Sequence, residues 1–247
     1  FMSRGIGINT IRSLRITDGI EWMPQTKTEV HTVQFNYFLD STLVNTKYRD
    51  GAKNFKMFKD AEKVFYNMDS IRFTEEAVIV EGEMYAASLV EAGVPNVVSV
   101  PNGFNATGNI NLDYLTNYYE VFENKEKIIL CLDNDEPGKL GQRELIRRFG
   151  AEKCFLVDLE DCKDANDYLV KYGPEKLREA IKNAVACPLE YVITANDVNQ
   201  DLINFYEKGH QKGYGIGLSE FDNIFTTYTK QFIVVTGFPS SGKSDFV

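Results

Sequence analysis

Two apolar runs that end on acidic residues constrain the fold of this chain most strongly. Residues 77–80 read Ala-Val-Ile-Val and lead into Glu81. Residues 128–132 read Ile-Ile-Leu-Cys-Leu and lead into Asp133 and Asp135. Short, nearly continuous apolar runs of this kind are typical of strands buried in a parallel sheet. Because the carboxyl ends of parallel strands meet at one edge of the sheet, we expect the three carboxylates to lie close together.

Segments of helical composition alternate with these runs. Residues 83–92 precede Gly93, and glycine commonly ends a helix. Residues 137–149 begin with a proline, which suits the first turn of a helix, and Gly150 follows them. Alternating strands and helices predict an α/β fold with a parallel sheet flanked by helices.

The N-terminal part predicts a different, antiparallel structure. Alternating residues and short turn sequences favour three strands, at residues 33–38, 43–48 and 54–58. Residues 60–69 are expected to form a short helix, and residues 1–30 show no clear pattern. We therefore predict a small β-rich subdomain ahead of the α/β domain.

Charge is divided unevenly between these parts. The net charge is −9, but residues 1–72 carry +3 and residues 73–190 carry −10. Basic side chains of the predicted strands are interleaved with aromatic residues, as on surfaces that bind nucleic acids. The candidate contacts for template and nucleotide phosphates are Lys47, Arg49, Lys53 and Lys56. The alternative is a solvated face of a small sheet.

The converging carboxylates predict a divalent-metal site. Carboxylates that face one another repel, and Mg²⁺ or Mn²⁺ would relieve the repulsion while leaving room for phosphate oxygens. Glu81, Asp133 and Asp135 are the candidate catalytic and metal-binding residues. Asp164 is a further candidate ligand, although it also stands where a helix N-cap is expected. Glu83 is expected to stabilise the first turn of a helix rather than to bind metal.

The C-terminal residues contain a phosphate-binding loop. An apolar run at residues 232–236 predicts a buried strand, and the residues after it fit G-x-x-x-x-G-K-[ST] in full. In this motif the backbone N–H groups cradle phosphates, the lysine neutralises them and the hydroxyl ligates Mg²⁺. The residues that would bind ATP are Gly237, Gly242, Lys243 and Ser244. Because the chain ends three residues after Ser244, we do not expect it to hydrolyse ATP by itself.

Three of these motifs, in this order, resemble the Toprim domain that topoisomerases, primases and some nucleases share. They are the lone Glu81, the Asp-x-Asp-x-x-Gly at residues 133–138 and the Lys-Asp-x-Asn-Asp at residues 163–167, within a match over residues 77–172. With the phosphate loop that follows, the layout is similar to the phage-type, Twinkle-like family of bifunctional primase–helicases. The resemblance implies a Toprim fold in which Glu81 is the general base on the attacking 3′-hydroxyl and the aspartate pair binds metal.

The same resemblance implies a domain organisation. Residues 1–73 would form a basic β-rich subdomain and residues 74–186 the Toprim catalytic domain. Residues 187–214 would form a linker helix, and residues 215–247 the start of a RecA-like helicase domain that is cut just after its Walker A motif. Primases of this type usually carry an N-terminal zinc-binding domain, and these 247 residues contain no candidate for it.

The implied activity is that of a DNA primase, a nucleotidyltransferase that makes short RNA primers on a single-stranded DNA template. The expected partners are single-stranded DNA and ribonucleotides. The full-length protein is expected to form a homo-hexamer with ATP-dependent helicase activity, whereas this fragment is expected to be monomeric. No membrane partner is expected, since no apolar run approaches the length of a membrane span. The resemblance to a phage-type family implies a phage or prophage source, and a cytoplasmic location is expected.

Two other functions are compatible with the same motifs. One is a catalytically silent Toprim module that holds DNA for a hexameric helicase, and the other is a Toprim nuclease. Retention of Glu81, Asp133 and Asp135 argues against the silent module. The order of domains argues against the nuclease, because in nucleases of this kind the ATPase precedes the Toprim domain.

Overall fold

The computed structural model describes residues 1–58, 60–104, 112–188, 199–208 and 213–246. The chain is divided into two compact units, Phe1–Glu190 and Tyr191–Val247. None of the helices in the described residues combines the length and apolar character that crossing a bilayer requires.

The N-terminal part of the first unit contains the predicted antiparallel sheet, which has four strands that follow one another in chain order. Its strands are β1 (Thr17–Met23), β2 (Thr28–Leu39), β3 (Thr42–Asp50) and β4 (Phe55–Met57). The turn between β2 and β3 places Asp40 and Ser41 at positive φ, which is the backbone that tight hairpins use. The sheet has one strand more than predicted, because β1 lies in the stretch where the sequence shows no clear pattern.

The second sheet of this unit is the predicted parallel sheet. It has the strand order β6-β5-β7-β8-β9, and only β9 runs antiparallel to its neighbour. Its strands are β5 (Glu76–Val80), β6 (Val97–Ser99), β7 (Lys127–Leu130), β8 (Cys154–Leu156) and β9 (Val185–Ala186). Residues 77–80 are fully buried, as expected for a central strand covered on both faces.

Helices connect and cover the strands. They are α1 (Ile8–Ser13), α2 (Glu83–Glu91), α3 (Asp113–Asn117), α4 (Tyr119–Glu123), α5 (Glu136–Phe149), α6 (Ala165–Tyr172) and α7 (Pro174–Lys182), with two 3-10 helices at Met2–Arg4 and Met68–Ile71. The start and end signals explain α5, since Asp135 caps its N-terminus, a proline occupies its first turn and Gly150 follows at φ 90°.

Aromatic side chains join the two sheets in one core. The ring of Tyr66 packs edge-on against Phe35 and Tyr37 of β2, at centroid distances of 6.0 and 5.2 Å. All three side chains are at most 1 % exposed. Burying such large rings contributes strongly to stability, so the antiparallel sheet is firmly attached to the α/β domain.

The second unit is described by shorter elements. They are α8 (Asn199–Lys208), α9 (Ser219–Asp222) and α10 (Lys243–Phe246). The carboxylate of Asp222 accepts hydrogen bonds from the N–H groups of Ile216 and Gly217, over 2.7 and 3.1 Å. The predicted linker helix over 187–214 lies partly outside the described residues, which omit 189–198 and 209–212.

The predicted helix over residues 60–69 is wrong. Val64, Phe65 and Tyr66 are all buried, and three consecutive buried side chains do not fit the single buried face of a surface helix. Residues 61–65 have no regular secondary structure, and Tyr66 exchanges two hydrogen bonds with Ser99 at the edge of the parallel sheet. Helical structure begins only at Met68–Ile71.

The predicted strand over residues 232–236 is also not formed. The backbone there has no regular structure, and Phe232 and Val234 are 93 % and 66 % exposed. A strand needs a second strand to satisfy its backbone N–H and C=O groups. Among the described residues of this unit no strand pairs with this segment.

Candidate active site

Neighbouring parallel strands bring the predicted carboxylates to one edge of the five-stranded sheet. β5 and β7 are paired in parallel; Glu81 follows directly after β5, and Asp133 lies three residues after the end of β7. The N–H of Asn134 donates to the carbonyl of Lys163 over 2.8 Å, which brings the next residue, Asp164, to the same edge. The edge therefore carries acids from three separate parts of the sequence.

Glu81 is held by a backbone amide from the loop after β6. The N–H of Phe104 donates to Glu81 Oε1 over 3.0 Å, whereas Oε2 is buried and has no hydrogen-bond partner among the described residues. Burial raises the pKa of Glu81, the Phe104 N–H lowers it, and the nearby carboxylate of Asp135 raises it again. A carboxylate with a raised pKa and an unoccupied oxygen is suited to accept a proton.

Asp133 is half-buried among the other acids of the site. Its Oδ1 is buried without a hydrogen-bond partner in the described residues, and its Oδ2 lies 3.5 Å from the hydroxyl of Tyr85. Burial raises the pKa of Asp133 to about 7, and the neighbouring carboxylates, Glu81 first, contribute to the shift. Perturbed pKa values of this kind are concentrated at functional sites.

Asp135 and Asp164 each cap a helix. Asp135 Oδ1 accepts from the N–H of Gly138 over 3.0 Å, at the start of α5. Asp164 Oδ1 accepts from the N–H groups of Asn166 and Asp167, both over 2.9 Å, at the start of α6. Capping uses one oxygen of each carboxylate and fixes the direction in which the side chain points.

Lys163 and Tyr85 belong to the site although no role was predicted for them. Lys163 Nζ lies 3.3 Å from Asp135 Oδ2, and this contact raises the pKa of the lysine. The Tyr85 hydroxyl is close to both Asp133 and Asp164, whose charges add to burial in raising its pKa. The sequence signals were their neighbours, since Lys163 precedes Asp164 and Tyr85 lies in the first turn of the helix that follows Glu81.

The close approach of α5 to the end of β7 requires a glycine. A Cβ at Gly138 would be 2.1 Å from the carbonyl oxygen of Asp133 and 2.9 Å from its carbonyl carbon. No side chain fits at that distance, so Gly138 allows the helix to begin directly beside Asp133. The glycine of the Asp-x-Asp-x-x-Gly motif thus has a packing role at the site.

The chemistry of the donor set fits a hard divalent cation. Glu81 Oε2 and Asp133 Oδ1 are buried without partners, and mutual repulsion of the acids is what a cation relieves. In the part of the chain that the structure describes, no three His, Cys, Asp or Glu side chains are grouped closely enough to hold an ion as they stand. Asp135 and Asp164 point toward helix N-termini, so metal binding would require side chains to move.

Two of the four predicted phosphate contacts are already paired with acids. Lys47 Nζ lies 2.7 Å from Glu83 Oε1, and the two side chains are only 12 % and 5 % exposed. Lys56 Nζ lies 2.6 Å from Glu21 Oε1 and donates to a backbone carbonyl of β1. An ammonium group that is paired with a carboxylate attracts a phosphate less strongly than a free one.

The other two predicted contacts are differently placed. Lys53 is exposed in the turn between β3 and β4. Arg49 is half-buried, its Nε has no hydrogen-bond partner within the described residues, and burial lowers its pKa. Its guanidinium lies 5.8 Å from the ring centroid of Phe55. Arg49 therefore has unused hydrogen-bonding capacity beside an aromatic surface.

The predicted phosphate loop, described within the second unit, forms a turn over residues 239–242 before α10. Gly242 adopts φ 77°, a conformation that favours glycine. Lys243 Nζ donates to the carbonyls of Gly237 and Phe238, over 3.1 and 2.7 Å. The lysine thus folds back over the loop, and Ser244 follows it in the first turn of the helix.

Residues 78–169 match a family described as Toprim-like, so this part of the chain is a Toprim-like domain. Over 233 residues the chain is 32 % identical to the Twinkle homolog protein, chloroplastic/mitochondrial, of Arabidopsis thaliana, covering 87 % of this chain and 33 % of that protein. Over 174 residues it is 36 % identical to the primase homolog protein of the same plant, covering 64 % and 52 %. The chain thus spans between a third and about half of these relatives.

A solved structure has the same architecture. The primase fragment of the bacteriophage T7 primase-helicase protein superimposes with a TM-score of 0.61 at 25 % identity. The match covers 73 % of this chain and 72 % of that fragment. The predicted Toprim fold, preceded by an antiparallel sheet, is therefore confirmed.

Proposed function

We propose that this protein is a DNA primase that joins ribonucleotides on a single-stranded DNA template, as part of a larger primase–helicase. The observation that carries the proposal is the convergence of Glu81, Asp133, Asp135 and Asp164 at one edge of a Toprim-like domain. The similarity to a plant primase homolog and to a phage primase fragment supports the same activity.

The four acids and Lys163 would have different roles in nucleotidyl transfer. Glu81, with a raised pKa and one unoccupied oxygen, would accept the proton of the attacking 3′-hydroxyl. Asp133 and Asp135, with Asp164, would hold Mg²⁺ or Mn²⁺, which when bound neutralises charge on the reacting phosphates. Lys163 would keep the site from becoming too negative for a nucleotide to enter.

The antiparallel sheet would hold the template. Arg49 and Lys53 are the basic residues of this region that we assign to phosphates, because Lys53 is exposed and the Nε of Arg49 has no hydrogen-bond partner among the described residues. Phe55, beside Arg49, is 44 % exposed and offers a face on which a base could stack. Lys56 would contribute only by exchanging its partner Glu21 for a phosphate.

The second unit would belong to the helicase domain of the full-length protein. The sequence fits a loop that binds ATP phosphates, with Gly237, Gly242, Lys243 and Ser244. To bind a phosphate, Lys243 would break its hydrogen bonds to the backbone carbonyls of the loop. We propose ATP binding, helicase activity and a ring of six subunits for the full-length protein only. The location stays a proposal as well, since one relative is named as a chloroplast or mitochondrial protein rather than a phage protein.

Primer synthesis tests the proposed activity directly. We expect the full-length protein to make short oligoribonucleotides on single-stranded DNA with Mg²⁺ or Mn²⁺. Glu81→Gln should lower the rate by roughly 10²–10⁴-fold, because it removes the proton acceptor. Glu76→Gln, at the opposite, exposed end of β5, should leave the rate unchanged.

The same assay separates the rival functions. Cleaved DNA without primers would indicate a nuclease. Unwinding of DNA without primers or cleavage would indicate a silent Toprim module, and either result would overturn the primase proposal.

A further inference from the structure

The segment of residues 101–104, which follows β6, lies between Lys47 and Glu81. At one end the carbonyl of Pro101 accepts a hydrogen bond from Lys47 Nζ over 3.1 Å. At the other end the N–H of Phe104 donates to Glu81 Oε1 over 3.0 Å. The 101–104 segment thus connects a lysine of the antiparallel sheet to the glutamate that we propose as the base.

The segment has little freedom to move at the Glu81 end. A Cβ at Gly103 would be 3.1 Å from Glu81 Oε1, which is tighter than ordinary contacts. The ring of Phe104 lies so close to Gly141 of α5 that a Cβ there would be 2.3 Å from it. Because packing fixes the segment at Gly103 and Phe104, its remaining freedom depends on the hydrogen bond that Lys47 donates to Pro101.

Lys47 is itself held by a buried group of polar side chains. Glu83 Oε1 accepts from Lys47 Nζ over 2.7 Å and from the hydroxyl of Tyr37 over 2.5 Å. Tyr37 is fully buried, and Glu83 is 4 % exposed. Removing one member of a buried charged group leaves the other charge unpaired, so the group acts as a unit.

We propose that Lys47, held in place by Glu83, is a positioning residue for Glu81 that acts through the 101–104 segment, and that it does not bind template phosphates. The inference rests on the proposed function, since it assigns Lys47 a part in primer synthesis. It also assigns a purpose to the second glutamate of Glu81-Gly82-Glu83. Glu83 fixes Lys47, which contacts the loop that orients Glu81, in addition to opening α2.

Hydrogen exchange of the Phe104 amide tests the positioning without relying on activity. In Lys47→Met this amide should exchange at least about tenfold faster than in the wild type, while amides of β7 keep their rates. Lys56→Met is the matched control, because it also breaks an ion pair and a bond to a backbone carbonyl in the same sheet. An unchanged Phe104 rate in Lys47→Met would overturn the inference.

Kinetics separate positioning from phosphate binding. Lys47→Met should lower kcat about 100-fold with little change in the KM for ribonucleotides, and Lys47→Arg should restore most of it. The salt dependence of single-stranded DNA binding should not change. If Lys47 contacted a phosphate, the variant would instead show a smaller salt dependence: the slope of the logarithm of the DNA-binding constant against the logarithm of the salt concentration would fall by about one in magnitude.

A double-mutant cycle tests whether Glu83 acts through Lys47. The loss in Lys47→Met/Glu83→Gln should equal that of either single variant, since both break the same link. Losses that multiply would overturn the link. If the wild type makes no primers but the Phe104 amide still responds to Lys47→Met, the proposed function fails and the positioning contact stands.

Discussion

Asp133→Asn should give a protein that makes no primers and yet, without metal, is more stable than the wild type near pH 8. The loss of activity follows from removing a carboxylate that we propose as a metal ligand. The gain in stability follows from removing a buried charge that lies among other acids. A variant that is inactive and more stable would show that the site stores unfavourable electrostatic energy for its function.

The sign of the pH dependence follows from the raised pKa. The pKa of Asp133 is about 7 in the folded protein against an ordinary value of 3.8, so the folded state holds this proton to higher pH than the unfolded state. The cost of the charge is therefore absent below about pH 4 and fully present above about pH 7. The difference in Tm between Asp133→Asn and wild type should grow across that range, by roughly 2–4 °C for each kcal/mol relieved.

Thermal denaturation between about pH 4 and pH 8, with and without Mg²⁺, measures both effects. Mg²⁺ should raise the Tm of the wild type and have less effect on Asp133→Asn, because a ligand stabilises only the state that binds it. Asp161→Asn is a suitable control, since a hydrogen bond from Lys171 lowers the pKa of this exposed residue. A Tm difference for Asp133→Asn that is the same at both ends of the range would contradict the argument.

The sequence predicts the convergence of Glu81 and Asp133 better than it predicts the structure around them, for a physical reason. Acids after buried strands are brought together by the parallel pairing itself, so Glu81 and Asp133 could be placed from local pattern alone. Phe104 could not, because its contribution is a backbone N–H that any residue could supply. The pairing of Lys47 with Glu83 depends on how two sheets pack, which no local pattern specifies.

The wrong structural predictions have a related cause. The segment around Val64, Phe65 and Tyr66 forms no helix, because all three side chains are buried and Tyr66 pairs with Ser99 of the parallel sheet. β1 was missed because Ile20 and Trp22 point outward and are 63 % and 50 % exposed, so its apolar residues do not mark a buried face. In each case tertiary contacts decide the local structure.

Gly138→Ala should damage both the stability and the activity of the protein, although it adds one methyl group. The new Cβ would be 2.1 Å from the carbonyl oxygen of Asp133, where backbone rather than a flexible side chain must give way. If α5 moves, the hydrogen bond from the Gly138 N–H to Asp135 is strained. If the end of β7 moves instead, Asp133 leaves its place beside Glu81.

Overpacking of this kind costs about 1–3 kcal/mol, so we expect the Tm to fall by roughly 3–10 °C. Primer synthesis should fall by about 100-fold even at temperatures where the variant is folded, because a displacement of about 1 Å at a reacting site has that effect. Gly51→Ala is the matched control, since a Cβ there meets nothing within 4 Å and the position is exposed. Circular dichroism and the primer assay on both variants measure the two effects. Full activity in a folded Gly138→Ala protein would show that Asp133 does not need its present position, and would remove the main geometric support for its role.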